Sequence, residues 1–189
     1  YLIADEADKT SSNDFGKNII PSMLNDGQKM VAYNFDGYWK DVGTIESLWE
    51  ANMDLLSQPM PIDLHDKKWR IYAKNPGLPP HCTAAGAVVK DSLITEGCEI
   101  FGKVQHSVVF AGVTVEEGAS VIDAVVMPGA VIKRGAVVRR CIIAENAVVG
   151  AGALVGEETG DIAVIGNGVN LPAGASVGAG VQVDENTTF

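Results

Sequence analysis

Aliphatic residues return every six positions through the second half of the chain, and this period limits the fold more than any other feature of the sequence. A helix would repeat its apolar face every 3.6 residues and an ordinary strand every two, so a period of six indicates a repeat architecture. Glycines keep the same period, and an aromatic content of 6% favours a core of small and β-branched side chains. The aliphatic series are Val88, Ile94 and Ile100; Val109, Val115 and Val121; Val126, Ile132 and Val138; and Ile165, Leu171, Val177 and Val183.

Each group of six residues is expected to form one side of a triangular parallel β-helix, with the aliphatic residue inside and glycine or small residues at the corners. Three sides close a coil of about 18 residues, so we expect about five coils stacked at ~4.8 Å, about 25 Å tall. Such coils resemble the left-handed β-helix family, an exception to the usual right-handed crossover. The predicted fold is therefore mainly β, with a left-handed parallel β-helix of hexapeptide repeats at residues 85–189 and a protruding loop at residues 156–162.

Residues 1–57 have a different pattern, which predicts the tail end of an α/β domain. The stretch "SSNDFGKNIIPSMLNDG" predicts a short helix capped within residues 11–13, bent or split by Pro21 and stopped at Gly27. "KMVAYNF" is a candidate strand, and Thr44 is positioned to cap a second amphipathic helix.

Residues 58–84 contain five prolines and no sustained period, so they predict an extended linker between the first part and the β-helix. The first part is short, and below ~70 residues a core rarely stabilises a fold unaided. We therefore expect residues 1–57 to pack on the β-helix or on a domain that precedes them.

The acidic composition excludes several classes of partner. The 24 acidic and 14 basic residues give a net charge of -10, which disfavours nucleic acid and anionic membrane surfaces. Neither a signal peptide nor a membrane-spanning segment is expected from the sequence, so the cytoplasm is the predicted location. Three widely spaced cysteines predict buried thiols rather than disulfides or a metal site.

Three features are candidates for chemistry. Asp41, in "GYWKDVGT", follows a candidate strand and precedes a helix, where a carboxylate could reach a divalent metal and its phosphates or simply stabilise a turn. His106 is either a general base or a corner residue of the β-helix. A basic group that could stack on neighbouring coils and bind a phosphorylated small molecule, or form salt bridges, consists of Lys133, Arg134, Arg139 and Arg140.

The strings "SSNDFGKNIIP", "AYNFDGYWKDVGTIESLWEANMDLL" and "WRIYAKNPGLPP", followed by the repeats, resemble the carboxyl-terminal portion of bacterial glucose-1-phosphate adenylyltransferases. The resemblance implies a nucleotidyltransferase of glycogen biosynthesis that converts ATP and glucose 1-phosphate to ADP-glucose and pyrophosphate with Mg²⁺. It implies that Asp41 is a catalytic metal ligand and that Gly43 and Thr44 shape the substrate-binding loop. Catalysis would consist mainly of positioning and charge neutralisation.

The resemblance also implies allosteric control by a sugar phosphate, adenylate or phosphate, with Arg139 and Arg140 contributing to an effector site, and assembly of the β-helix into a homotetramer or with a paralogous subunit. A second metal-binding aspartate, a glycine-rich loop and a sugar-phosphate lysine of the family have no counterpart here, and we expect them before Tyr1. The chain alone is therefore expected to be inactive.

Two alternatives remain open from the sequence. One is a non-catalytic regulatory paralogue of the same enzyme, which would assemble with a catalytic subunit. The other is a hexapeptide-repeat acyltransferase, which would bind acyl-CoA and depend on His106.

Overall fold

The computed structural model of this 189-residue chain describes residues 1–70, 72 and 76–187. Four residues of the predicted linker, 71 and 73–75, and the last two residues of the predicted β-helix domain lie outside the described residues. The chain forms two compact units, Tyr1–Gly37 and Tyr38–Phe189. No helix in the described part of the chain has the length and apolarity needed to cross a membrane.

The first unit is built from short helices. They are α1 (Leu2–Ala7), a π-helical turn (Phe15–Ile19) and α2 (Ile20–Asn25). The turn is capped by Asp14, just beyond the predicted range 11–13, because its carboxylate accepts the Lys17 backbone N–H. Pro21 lies in the first turn of α2, where its missing N–H costs little, so the hydrogen-bond pattern changes from π to α near the proline while the helical run continues.

The strand predicted at "KMVAYNF" is wrong. Residues 29–35 form no strand, and Val31 and Tyr33 are 84% and 87% exposed. A strand is stable as a member of a ladder, and no described residue forms a ladder with this segment. The apolar pattern alone carries no information on whether a partner strand is present.

The second unit contains the predicted parallel β-helix. Within the described residues, three six-stranded parallel sheets form its sides, and each strand pairs with the strand three places along the chain. Sheet A contains β1 (Cys82–Thr83), β4 (Glu99–Ile100), β7 (Thr114–Val115), β10 (Val131–Ile132), β13 (Val148–Val149) and β16 (Asn170–Leu171). Sheet B contains β2 (Val88–Lys90), β5 (Lys103–Gln105), β8 (Ser120–Ile122), β11 (Val137–Arg139), β14 (Leu154–Val155) and β17 (Ser176–Val177). Sheet C contains β3 (Leu93–Ile94), β6 (Val108–Val109), β9 (Val125–Val126), β12 (Cys141–Ile143), β15 (Ala163–Ile165) and β18 (Gln182–Val183).

The aliphatic series forms the interior of the prism, with one error of phase. Residues from Ile100 to Val183 in the series are buried. Val88 instead faces outward and is 52% exposed, because Val89 is the residue that pairs with the interior Val104.

The structure has six coils rather than five, because most coils are shorter than 18 residues. Partners in sheet B lie 15 residues apart at Val88 and Lys103, 17 apart at Lys103 and Ser120, and 22 apart at Leu154 and Ser176. In four coils the corner between sheets B and C contains one residue with positive φ, at Asp91, His106, Asp123 or Arg140, and at most two residues separate the strands there, which keeps the coil short. The corner at Gly102 is tighter still, since a Cβ there would lie 2.4 Å from the Ala119 carbonyl oxygen.

Helix α3 (Ile45–Asp54) covers the outer face of sheet C. Its Met53 is buried with Val108, Val125 and Ile142 of the sheet and with Ile162. Full burial of one such side chain contributes about 1.5–3 kcal/mol, so this contact fixes the segment that carries the "GYWKDVGT" motif to the β-helix.

Candidate functional site

Alternate residues of the "GYWKDVGT" motif face opposite sides. The Tyr38 hydroxyl donates to the Asp54 carboxylate at 2.9 Å, and Lys40 Nζ lies 2.8 Å from Glu50 Oε2 and 3.2 Å from Asp54 Oδ2. Trp39 and Asp41, between and after them, are exposed. Glu50 and Asp54 of α3 therefore bind the side of the motif that carries Tyr38 and Lys40, and Asp41 lies on the opposite, exposed side.

The ionisation of these anchoring groups favours the contact at neutral pH. The hydrogen bond to Glu50 is the largest of the effects that raise the pKa of Lys40. Burial and then the hydrogen bond to Asp54 raise the pKa of Tyr38. Lys40 therefore remains a cation and Tyr38 a neutral donor well above neutral pH.

Asp41 closes a small turn at the start of α3. Its Oδ1 accepts the Gly43 backbone N–H at 3.1 Å, as in an Asx turn. Thr44 then accepts the Ser47 N–H at 3.1 Å, and the Ser47 hydroxyl accepts the Thr44 N–H at 3.0 Å. The predicted cap at Thr44 is confirmed, and the turn presents the Asp41 carboxylate to solvent near the N-terminal end of a helix.

The Asp41 carboxylate at this turn has the exposure that a metal ligand would need. Among the residues that the structure describes, no group of three or more His, Cys, Asp and Glu side chains could hold a metal ion. Mg²⁺ commonly takes one or two carboxylates and completes its shell with water and phosphate oxygens. Asp41 fits such a shared site and does not by itself form a resident metal centre.

The four basic residues do not stack on neighbouring coils, so that part of the prediction is wrong. Lys133 and Arg134 lie at the corner before β11, whereas Arg139 and Arg140 lie at its far end. Residues six positions apart lie on successive sides of one coil. Residues that stack on each other in neighbouring coils are 17 positions apart here, as Val137 and Leu154 are. Arg134 instead forms an ion pair with Glu117 at 3.1 Å.

The other two arginines are both held by the loop that follows β14. Arg139 contacts the Glu158 carboxylate, and Arg140 Nε donates to the Gly160 carbonyl at 2.8 Å. The Arg140 guanidinium also lies over the Trp49 ring, 4.7 Å from its centroid. Arg140 therefore connects the loop to α3.

His106 is a corner residue with φ of 45°. Its Nδ1 lies 2.7 Å from Asp123 Oδ1, and the Asp123 carbonyl accepts the Trp49 indole N–H at 2.8 Å. The sequence carried a signal for this arrangement that the six-residue series did not use. Polar residues precede a small residue or a cysteine at Asp91, His106, Asp123 and Arg140, and aspartate and histidine are enriched at positive φ.

Sequence reasoning also missed Glu50 and Asp54 as the residues that hold the motif. They lie four positions apart on one face of α3, which is the usual spacing of side chains that act together on a helix. Their partners, Tyr38 and Lys40, are two positions apart on an extended segment. A spacing of two in the motif and of four in the helix is the signal that could have identified Glu50 and Asp54.

Comparisons with known proteins match two regions of the chain, one before the β-helix and one within it. Residues 1–58 match the family described as "Nucleotidyl transferase", and residues 81–162 match "GlmU-like, C-terminal hexapeptide". Proteins named glucose-1-phosphate adenylyltransferase from Bacillus mycoides (strain KBAB4), Bacillus cereus (strain ATCC 10987 / NRS 248) and Bacillus anthracis are each 59% identical to this chain over 128 residues. That alignment covers 68% of this chain and 34% of each relative.

The resemblance identified from the motifs is thus confirmed, as is the fold of a hexapeptide β-helix preceded by part of a nucleotidyltransferase domain. The chain spans about a third of the length of the curated relatives it matches.

Proposed function

We propose that this chain is part of a glucose-1-phosphate adenylyltransferase, which forms ADP-glucose and pyrophosphate from ATP and glucose 1-phosphate. The observation that carries the proposal is the exposed Asp41 carboxylate, held by Gly43 at the start of α3 within a motif that resembles this enzyme's. The 59% identity to proteins of that name supports it. The cytoplasm is the proposed location.

In the proposed reaction, an oxygen of the sugar phosphate attacks the α-phosphorus of ATP and pyrophosphate leaves. Such a reaction depends mainly on positioning and on charge stabilisation. Asp41 contributes one carboxylate at a fixed place, because Tyr38 and Lys40 tie the preceding residues to Asp54 and Glu50. Gly43 and Thr44 set the turn, and α3 transmits its position to the β-helix through Met53.

Nucleotidyltransferases commonly use a divalent metal, and Mg²⁺ is the proposed ion here because it prefers oxygen ligands and phosphates. When bound, it would neutralise charge on the phosphate oxygens. Asp41 is the residue of this chain that would hold it, with other ligands coming from phosphate, water and residues outside this chain.

The test is an Asp41→Asn substitution in the enzyme that contains this chain. Asparagine keeps a side-chain oxygen that can accept the Gly43 N–H but loses the charge that a metal needs, so we expect kcat for ADP-glucose synthesis to fall by about 100-fold or more with assembly unchanged. Steady-state kinetics and sedimentation measure the two quantities.

Asp63→Asn is the matched control, because Asp63 accepts the His65 N–H at 2.8 Å in a similar exposed turn. The control should keep normal kcat. If Asp41→Asn also keeps normal kcat, Asp41 is a turn residue only, and the non-catalytic paralogue becomes the better description of this chain.

We further propose that the β-helix contributes to assembly, as either a homotetramer or a complex with a paralogous subunit. Apolar side chains on its surface support this, since Val88, Phe101 and Leu154 are 52%, 42% and 52% exposed. An acyltransferase function has less support, because residues 1–58 match a nucleotidyl transferase family and the relatives that are 59% identical are named adenylyltransferases.

A further inference from the structure

An apolar groove runs along the corner between sheets C and A and has a volume of about 720 Å³. Most of its lining comes from apolar side chains of the corner and of the segment before β1: Pro76, Leu78, Phe110, Ala111 and Pro128. Leu78 closes one side, because its Cδ1 lies 2.6 Å from the place that a Cβ would take at Gly97. A cleft of this size and lining is typical of a binding site for a small organic molecule.

The corner places two carboxylates far apart along the same groove. Four residues hold the same place in successive coils: Glu96, Ala111, Pro128 and Glu145. The residue after each of the last three donates its backbone N–H to the carbonyl of the member one coil earlier, at 3.0, 2.9 and 2.9 Å. Coils stack at ~4.8 Å, so the backbones of Glu96 and Glu145, three coils from each other, lie about 14 Å apart.

Both of these carboxylates are available to a cation. Neither Glu96 nor Glu145 forms an ion pair with a basic side chain in the described part of the chain. At about 14 Å they are too far apart to share one metal ion, whose oxygen ligands lie within ~2.6 Å of it. Between them the column is apolar, at Ala111 and Pro128. The net charge of -10 adds a field that attracts cations.

A ligand that matches this groove has a cation at each end and an apolar body. A linear aliphatic diamine has this form at neutral pH, because its amino groups are protonated. Each bond of an extended chain adds about 1.2 Å, so the two nitrogens of 1,10-diaminodecane lie about 13 Å apart. Its methylene groups would leave water on contact with the apolar lining, which favours binding.

We propose that this groove binds linear aliphatic diamines, a class that includes the polyamines. One ammonium group binds the carboxylate of Glu96 and the other that of Glu145, and the methylene chain lies against Ala111 and Pro128. The proposal does not depend on the proposed adenylyltransferase reaction, and neither Asp41 nor the four basic residues of the β-helix line the groove.

The test is a calorimetric titration of the full chain with 1,10-diaminodecane at low ionic strength. The matched probe is 10-amino-1-decanol, which has the same length and a neutral hydroxyl in place of one ammonium group. The diamine should bind about five-fold more tightly, the factor that an exposed ion pair at the upper end of its usual strength gives. Backbone amide shifts of Ala111, Gly129 and Asn146 on addition of the diamine should locate it in the groove.

Glu96→Gln and Glu145→Gln should each weaken diamine binding about five-fold, and the double variant about 25-fold, because sites this far apart contribute additively. In the double variant the two probes should bind equally. Glu99→Gln is the matched control, since it removes the same charge from the exposed outer face of sheet A and should leave the affinity unchanged. Equal affinity of the two probes for the unaltered chain, or full diamine affinity in a folded double variant, would overturn the proposal.

Discussion

Ser107 shows how a single residue maintains the stacking of the coils. It is the one polar residue that is fully buried among those the structure describes. Its hydroxyl donates to the Gln105 carbonyl at 2.8 Å and accepts the Ala124 N–H at 3.1 Å, so it joins one coil to the next. It directly follows the corner residue His106, where the ladder between strands is interrupted.

Replacement of Ser107 by alanine should therefore destabilise the chain by about 1–3 kcal/mol, because the buried Ala124 N–H would lose its partner. Urea denaturation of the full chain measures the change. Ser176→Ala is the control, since Ser176 is exposed and no hydrogen bond of its side chain is found among the described residues; its effect should stay within about 0.5 kcal/mol. Equal effects of the two substitutions on the free energy of unfolding would show that the Ser107 hydrogen bonds add no net stability.

At the same scale, the sequence predicted the residues whose role is local. Thr44 could be identified as a cap because a cap depends only on the next three residues. Glu50 and Asp54 were missed, because their partners lie 10 to 16 positions away and the spacing alone does not show how the motif crosses α3. Asp41 was a candidate from its position in the sequence, and the role proposed for it comes from the resemblance, since its turn alone is common in proteins.

Helix α3 is the element that joins the candidate site to the β-helix. One of its faces holds the motif through Glu50 and Asp54, and another lies on sheet C through Met53. Trp49 adds a polar contact, because its indole N–H donates to the Asp123 carbonyl and its ring lies beneath Arg140. A substitution of Trp49 should thus affect both the free energy of unfolding and the position of Asp41.

Trp49→Phe keeps an aromatic ring but removes the donor, and phenylalanine is a weaker partner for a cation than tryptophan. We expect a loss of about 1–2 kcal/mol in the free energy of unfolding, measured by urea denaturation. Trp39→Phe, at a residue that is 75% exposed, should change it by less than about 0.5 kcal/mol. A Trp49→Phe variant as stable as the unaltered chain would mean that apolar packing alone docks α3.

For the molecule as a whole, the repeat predicted the architecture and missed the exact coil length. The interior is set by the alternation of buried and exposed residues, which the sequence displays from Ile100 onward. Coil length depends on the corners, and a corner of two residues that begins at His106 or Asp123 is hard to distinguish from a longer one when only the aliphatic positions are counted. The 22-residue coil at Leu154 shows the reverse case, in which a loop replaces a corner.

The two compact units should differ in local stability. In residues 1–37 only Ile19 is buried, whereas the coils and α3 share continuous apolar cores. We therefore expect backbone amides of β5 to β15 and of α3 to exchange with solvent about 100-fold or more slowly than those of α1 and α2, measured by hydrogen exchange on the full chain.

A Met53→Ala variant tests whether the slow exchange of α3 and the slow exchange of the coils depend on each other. Removal of a buried side chain of this size costs about 2–5 kcal/mol, and the cost should fall on the docking of α3, because Met53 contacts the outer face of sheet C rather than the interior of the prism. Amides of α3 should then exchange faster while those of β8 and β11 keep their protection. Uniformly faster exchange throughout the coils would show instead that α3 is needed to hold the β-helix together, and fast exchange of α3 in the unaltered chain would contradict its docking on sheet C.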